Sequence, residues 1–270
     1  MTAQTITGAV AAPRPADRRL AGLGALLRKD TTEWLRGRRA WVVLLVSLAF
    51  MGLAAANGWI ITQIAATLPA DADVGVVSLV PLDNLLAAVG AQVFVLATIL
   101  AVGSLLVSER QAGTLAWVAS KPVSRRSIWL SKWITATGLV AATAVVLPLA
   151  ATAALVTVLY GAPDPVVVAG LGAGMVAVVA FFSAVGILAG TVLTSQVGVV
   201  GAGFGVFVLM PILGGLLPPE IAALLPVSML TWAAGIASGM PASWSTPVAF
   251  AVVVAAIVGV GLWRMDRMEL

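Results

Sequence analysis

Cysteine and histidine are both missing from this 270-residue chain, and only 10% of its residues are charged. Without thiols there is no disulfide, no thiolate metal site and no cysteine nucleophile. Without imidazole there is no histidine base and none of the commonest haem and metal ligand. Those losses remove most hydrolase mechanisms, so the chain is expected to be no enzyme and to hold no metal or cofactor of its own. The Gly-x-x-x-x-Gly-Lys-Ser/Thr loop that cradles nucleotide phosphates is missing as well. Chemical work, if this protein uses any, must come from a separate subunit.

What the chain does have is grease. It is 61% hydrophobic, against roughly 45–50% in soluble domains, and no soluble fold has enough interior to hide that much apolar side chain. Uncharged stretches at 41–68, 84–107, 133–160, 166–194, 197–217 and 247–263 are each long enough to cross a hydrocarbon core, which takes roughly 20 helical residues. No ten-residue period-2 alternation suggests a barrel, and only helices satisfy their own backbone in lipid. The expectation is an all-α integral membrane protein, a six-transmembrane-helix bundle whose transmembrane domain covers 41–270.

The fifteen Lys and Arg residues sort by side once those spans are drawn. Eight precede the first span, five lie between the second and third, and two follow the sixth. The opposite side carries Asp71, Asp73, Asp83, Asp164 and Glu220 and no base. The positive-inside rule then places both termini in the cytoplasm, in the inner (cytoplasmic) membrane of the cell. The net charge of +4 thus has a topological explanation, and nucleic acid is not an expected partner. Residues 1–17 lack the apolar core of a secretory signal and read as a disordered cytoplasmic tail. The stretch 218–246 is apolar but interrupted by Pro218, Pro219, Pro226, Gly235, Gly239 and Pro241. It reads as short re-entrant or interfacial helices outside, with a seventh span as the alternative.

Two segments on the basic side look like more than connections. In 18–40, Leu20, Leu23, Leu27 and Trp34 share one helical face, while Arg28, Lys29, Glu33 and Arg36 share the other, as in a helix lying flat in the membrane interface. In 108–132, a short helix ended by Pro122 is expected to expose Leu115, Trp117 and Val118 among charges, a composition suited to docking another protein. Glu109-Arg110, Gly113-Thr114-Leu115, Pro122-Val123-Ser124 and Lys132 resemble the cytoplasmic segment of the ABC type 2 transporter permeases. The flat N-terminal helix with Lys29-Asp30, the six spans and the broken stretch before the last are similar to that family too, so the resemblance covers nearly the whole chain.

That resemblance implies a permease subunit of an ABC exporter. Glu109, Arg110, Gly113, Thr114, Leu115, Pro122, Val123 and Ser124, joined by exposed Trp117, would form a coupling helix seated on an ABC ATPase. ATP and Mg would be bound by that partner, with two ATPases serving two permeases, the second a copy of this chain or a related one. For a substrate path, Asn57, Gln63, Gln92, Phe94, Phe204, Phe207 and Met210 offer polar or aromatic groups at depth. No span as drawn contains a charge, which argues against an ion-coupled carrier and for a small apolar or amphipathic cargo. A secondary transporter, a channel, an intramembrane enzyme and a membrane assembly factor are the competing readings. Gly170/Gly174, Gly186/Gly190 and Gly201/Gly205, each four apart, are expected to let neighbouring spans approach closely.

Overall fold

The computed structural model describes residues 20–67, 90–103, 105–237 and 243–268. The tail at 1–17, the outer-side acids Asp71, Asp73 and Asp83, the first residues of the second apolar stretch and Gly239 and Pro241 lie outside that description, as does the side chain of Gln92. Every regular element among the described residues is helical, and six helical segments are long and apolar enough to cross a membrane.

Helix α1 (Leu23–Arg36) starts after Gly22, whose positive φ of 79° sets the turn. It ends at Gly37, where the backbone goes extended before α2 (Arg38–Ala65), the first span. The second span comprises α3 (Gly90–Val102) and α4 (Leu105–Gln111), with Val200 packed against Gly103 just after α3. Its helical run reaches Gln111, so Glu109 and Arg110 ride on the end of a span. The short α5 (Thr114–Ala119) follows.

The third span is α6 (Arg125–Val140), a π-helical stretch (Ala141–Val146) and α7 (Leu147–Tyr160), continuous over 36 residues. The π segment falls just before Pro148, whose missing N–H leaves one i−4 bond unmade and so tolerates a widened turn. Helix α8 (Pro165–Val192) is the fourth span, capped by Asp164 accepting from the Val166 N–H at 2.8 Å with Pro165 at its first position. Helix α9 (Gln196–Leu216) is the fifth, capped by Ser195 and carrying Pro211 inside. Then come α10 (Pro219–Ala222), α11 (Pro226–Ala237) and α12 (Ser245–Asp266), the sixth span.

Helix α8 is the central post. It buries residues on all sides, from Gly170 to Thr191, and packs on α3, α6, α11 and α12. Two glycine pairs read from the sequence account for this closeness. A Cβ at Gly186 would come 2.9 Å from Val102, and one at Gly190 would come 3.2 Å from Leu106, both on the second span. A Cβ at Gly170 would meet Ile236 and one at Gly174 the Met229 carbonyl, each at 3.0 Å. The third pair is different: Gly201 and Gly205 face open space, while Gly203 packs on Ile99 and Gly214 on Val227. The expectation for that pair fails within one chain because α9 lies at the edge of the bundle, with only Val199 and Gly203 buried.

Twelve residues long, α11 spans only about 18 Å at 1.5 Å per residue, short of the roughly 30 Å a crossing needs. It lies along the first three turns of α8, its beginning beside Gly174 and its end beside Gly170. Trp232 and Trp244 meet at 6.0 Å between ring centres, and the Trp232 indole donates to the Ser243 carbonyl at 2.9 Å.

Candidate functional site: the charged knot at the basic end of the bundle

Four charged side chains from three helices converge at the basic end of the bundle. Lys132 on α6 donates to Asp30 Oδ1 on α1 at 2.9 Å and to Glu109 Oε1 on α4 at 2.7 Å. Lys29 donates to the same Glu109 oxygen at 2.8 Å and stands 3.7 Å from both Asp30 and Glu33. Asp30 and Lys132 are each only 7% exposed in their side chains. A buried pair of this kind is costly to desolvate but much costlier to break, since one partner then sits unpaired. Asp30, Glu33 and Glu109 bring carboxylate oxygens within 4.8 Å of one another. The two ammonium nitrogens already stand against Asp30 and Glu109, where a cation would have to bind. Burial works against the charge on Lys29, but the Glu109 hydrogen bond and the nearby Glu109, Asp30 and Glu33 charges outweigh it and raise the ammonium above its ordinary value.

This knot fixes α1 against the second and third spans, and the 108–132 segment is laced into the same assembly. Gly113, at φ 70°, ends the turn after α4, a conformation that favours glycine. Thr114 follows and donates its hydroxyl to the Glu109 carbonyl at 3.2 Å. Arg110 reaches the Gly190 and Leu193 carbonyls at 3.4 and 3.5 Å, and Gln111 the Thr194 carbonyl at 3.0 Å, so the second span grips the end of the fourth. Ser124 caps α6 through the Ser127 N–H at 3.1 Å, and its own N–H donates to the Ala21 carbonyl at 3.1 Å. Val123 is packed so closely on Gly22 that a Cβ there would come within 2.7 Å. Arg126 holds Asp266 by two hydrogen bonds, at 2.7 and 2.9 Å, and Arg125 reaches the Met268 carbonyl at 2.7 Å, tying in the sixth span.

The structure corrects one expectation about exposure. Leu115 and Val118 point inward, 2% and 7% exposed, into a cluster with Leu26, Ile128, Trp129, Met265 and Met268. They brace the segment instead of presenting it. Trp117 alone of the three faces out, 62% exposed, with Lys121 over its ring at 3.5 Å from the centroid. Pro122 and Gly113 are exposed beside it. Of the face assigned to α1, Leu23 and Leu27 are half-buried and Trp34 is buried, while Leu20 is exposed and precedes the helix. The deepest stripe is Leu26, Asp30 and Trp34.

The residues considered for a substrate path are only partly gathered. Phe94 is a core residue, 1% exposed, and Phe207 and Met210 pack on the same cluster. Phe204 tilts on Phe207 at 6.1 Å between ring centres but is otherwise on the open face of α9. Asn57 and Gln63 are exposed on α2. Sequence reasoning left Asp30 and Lys132 out of its site residues. The signal was present in the spacing: Asp30 sits four residues from both Leu26 and Trp34, a carboxylate on the apolar stripe that requires a buried base opposite.

A bundle of six apolar helices, joined at its basic end to α1 and the short α5, defines a multi-pass membrane protein. The family model for ABC-2 family transporter proteins matches residues 24–270, from the second residue of α1 to the end of the chain, and the chain belongs to that family. It is therefore a permease, the membrane subunit of an ABC transporter, of a kind that works with an ABC ATPase. No curated protein matches the chain in sequence.

Proposed function

We propose that this permease is driven from the Trp117 surface, as half of an exporter powered by ATP and Mg bound on a separate ATPase. The observation that carries this reading is the contrast within α5. Leu115 and Val118 lock the segment into the bundle while the neighbouring Trp117 is held out, so a push on Trp117 is delivered to α1, α4, α6 and α12 together. With bases confined to one side, both termini and the Glu109–Ser124 segment face the cytoplasm, and α11 is re-entrant from outside. Two copies, or this chain and a related permease, would close a path between their exposed faces, each served by one ATPase. Closure of the ATPases on nucleotide would bind one arrangement of the segments better than the other and so shift the bundle between conformations. A small apolar or amphipathic cargo suits a membrane interior without charge.

Copurification tests this. Trp117→Ala should lose the partner ATPase subunit about tenfold or more while leaving thermal stability in detergent unchanged, because the side chain is exposed. Retention of the ATPase by Trp117→Ala together with Gly113→Trp would overturn the assignment.

A further inference from the structure

At the end of the bundle away from the charged knot, the third span reaches across to the first. Tyr160 is the last residue of α7 and the one tyrosine in the chain. Its hydroxyl accepts from the Trp59 N–H at 2.6 Å and donates to the Ala55 carbonyl at 3.2 Å. Ala55 and Trp59 are four residues apart, so in a regular helix that N–H and that carbonyl are each other's partners. The phenol oxygen therefore bridges one rung of the first span. A tyrosine serving only to anchor a span at the membrane surface would turn its hydroxyl to water or headgroups. This one is turned onto a neighbouring backbone.

The bridged turn is built from residues that hold a helix weakly. Asn57 and Gly58 lie inside the rung, and both are poorer helix formers than alanine. Thr62, close by on the same helix, donates its hydroxyl to the Trp59 carbonyl at 2.7 Å, a second side-chain bond into this stretch. A side chain inserted into the helical ladder is one of the few causes of local bending in a helix. On the other side of the contact, α7 packs along α2, and Gly161 at φ 104° turns the chain away directly after Tyr160.

Trp59 has a single N–H to give, so Tyr160 and Ala55 compete for it. When the hydroxyl leaves, the rung closes on itself, and no backbone group is stranded in apolar surroundings that would penalise it. The phenol, on a residue 37% exposed, is left where water can take up its bond. One hydrogen bond is exchanged for another, and the two arrangements lie close in free energy. The charged knot has no such alternative, because parting Lys132 from Asp30 leaves a buried charge unpaired.

We propose that Tyr160 is a positioning residue of the transport cycle. Its hydroxyl latches the far ends of the first and third spans in one register, and it gives way to direct Ala55–Trp59 pairing when those ends separate. Two arrangements of one rung make the two-state element that such a cycle requires. The latch rests on the chain being a permease and not on the Trp117 contact.

With one tyrosine and no cysteine, both partners of the latch can be labelled uniquely. Meta-fluorotyrosine at Tyr160 gives a single fluorine signal, and spin labels at Gln63→Cys and Ala162→Cys, both exposed, report the separation of the span ends. In the full-length permease in lipid nanodiscs the short, latched distance should dominate. Tyr160→Phe should lower that population about fivefold, as expected for the loss of one hydrogen bond, with thermal stability nearly unchanged because the rung closes. Asn57→Ala favours the closed rung from within the first span and should lower it about two- to threefold. In the complex with its ATPase, ATP with vanadate should shift the fluorine signal and lengthen the distance together. An unaltered distance distribution in Tyr160→Phe would overturn the latch, and a fluorine signal that stays fixed while the span ends separate would overturn its release. Two labels that both stay still in a complex hydrolysing ATP would remove Tyr160 from the cycle and leave the Trp117 assignment standing.

Discussion

At the end of the bundle that carries the bases, helices are joined by directed contacts: Lys132 between Asp30 and Glu109, Arg126 on Asp266, Arg110 on the last carbonyls of α8, and Ser124 capping α6 while pairing with Ala21. At mid-depth the spans meet instead through glycines and aliphatic side chains, with Gly186 on Val102, Gly174 on α11 and an aromatic chain from Phe182 through Phe181 to Phe250. Directed contacts fix mutual position, so the basic end is held together as one piece. Apolar packing has few orientational demands, which lets spans slide or tilt once that end is displaced. A transporter driven from one side needs both properties, in that order along its axis.

The sharpest way to break this contrast is at the knot. Lys132→Met leaves Asp30 and Glu109 without their shared base and should cost about 3–5 kcal/mol, seen as a lower unfolding temperature in detergent and as protease cleavage within α1. Adding Asp30→Leu and Glu109→Leu to it should restore much of that loss, since an apolar replacement of the whole set removes the unpaired charges. Equal stability of wild type and Lys132→Met would mean the knot is not structural. A smaller effect is expected at mid-depth. Gly186→Leu forces side-chain atoms into Val102 and should cost about 1–3 kcal/mol, whereas Gly201→Ala, facing open space, should stay within about 0.5 kcal/mol in the single chain. If Gly201→Ala weakens the association of two copies in a chemical crosslinking assay, the free face of α9 is where they meet.

A modest effect is also expected at Lys29, whose side chain is 45% exposed. Lys29→Gln should cost no more than about 1 kcal/mol, because solvent screens it. Its raised pKa gives the sign of the pH dependence. The stabilisation is fully present below the ordinary lysine value of 10.5 and fades as pH rises through the higher value in the folded chain. A thermal-stability series from pH 8 to 11 on wild type and Lys29→Gln would show the two curves converging only at the alkaline end.

The spans were legible in the sequence because lipid imposes one requirement along twenty consecutive residues, and a run such as 166–194 meets it without ambiguity. One local backbone signal was legible too: Pro122 was expected to end a short helix, and α5 stops at Ala119 ahead of it. Which way a side chain points on a six-residue helix was not, since α5 is too short to show a period. Leu115 and Val118 turn inward only because Leu26, Met265 and Met268 come from distant parts of the chain to receive them. Asp30 with Lys132 is the same lesson at 102 residues of separation. Composition shows that each is charged, and only the fold shows that each is the other's partner. The pair at Gly201 and Gly205 had the right spacing, yet nothing local tells a packed glycine face from one left open at the bundle edge.

The chain contains no cysteine, so a single one placed at Trp117 is unique. Reconstituted with its ATPase, the Trp117→Cys permease treated with a short bifunctional crosslinker tests the account most directly. The expected result is a permease–ATPase adduct whose yield changes between nucleotide-free and ATP-bound conditions, with the same cysteine labelled by impermeant reagent only from the cytoplasmic face. Labelling from the outside, or an active complex in which position 117 forms no adduct with the ATPase in any nucleotide state, would contradict it.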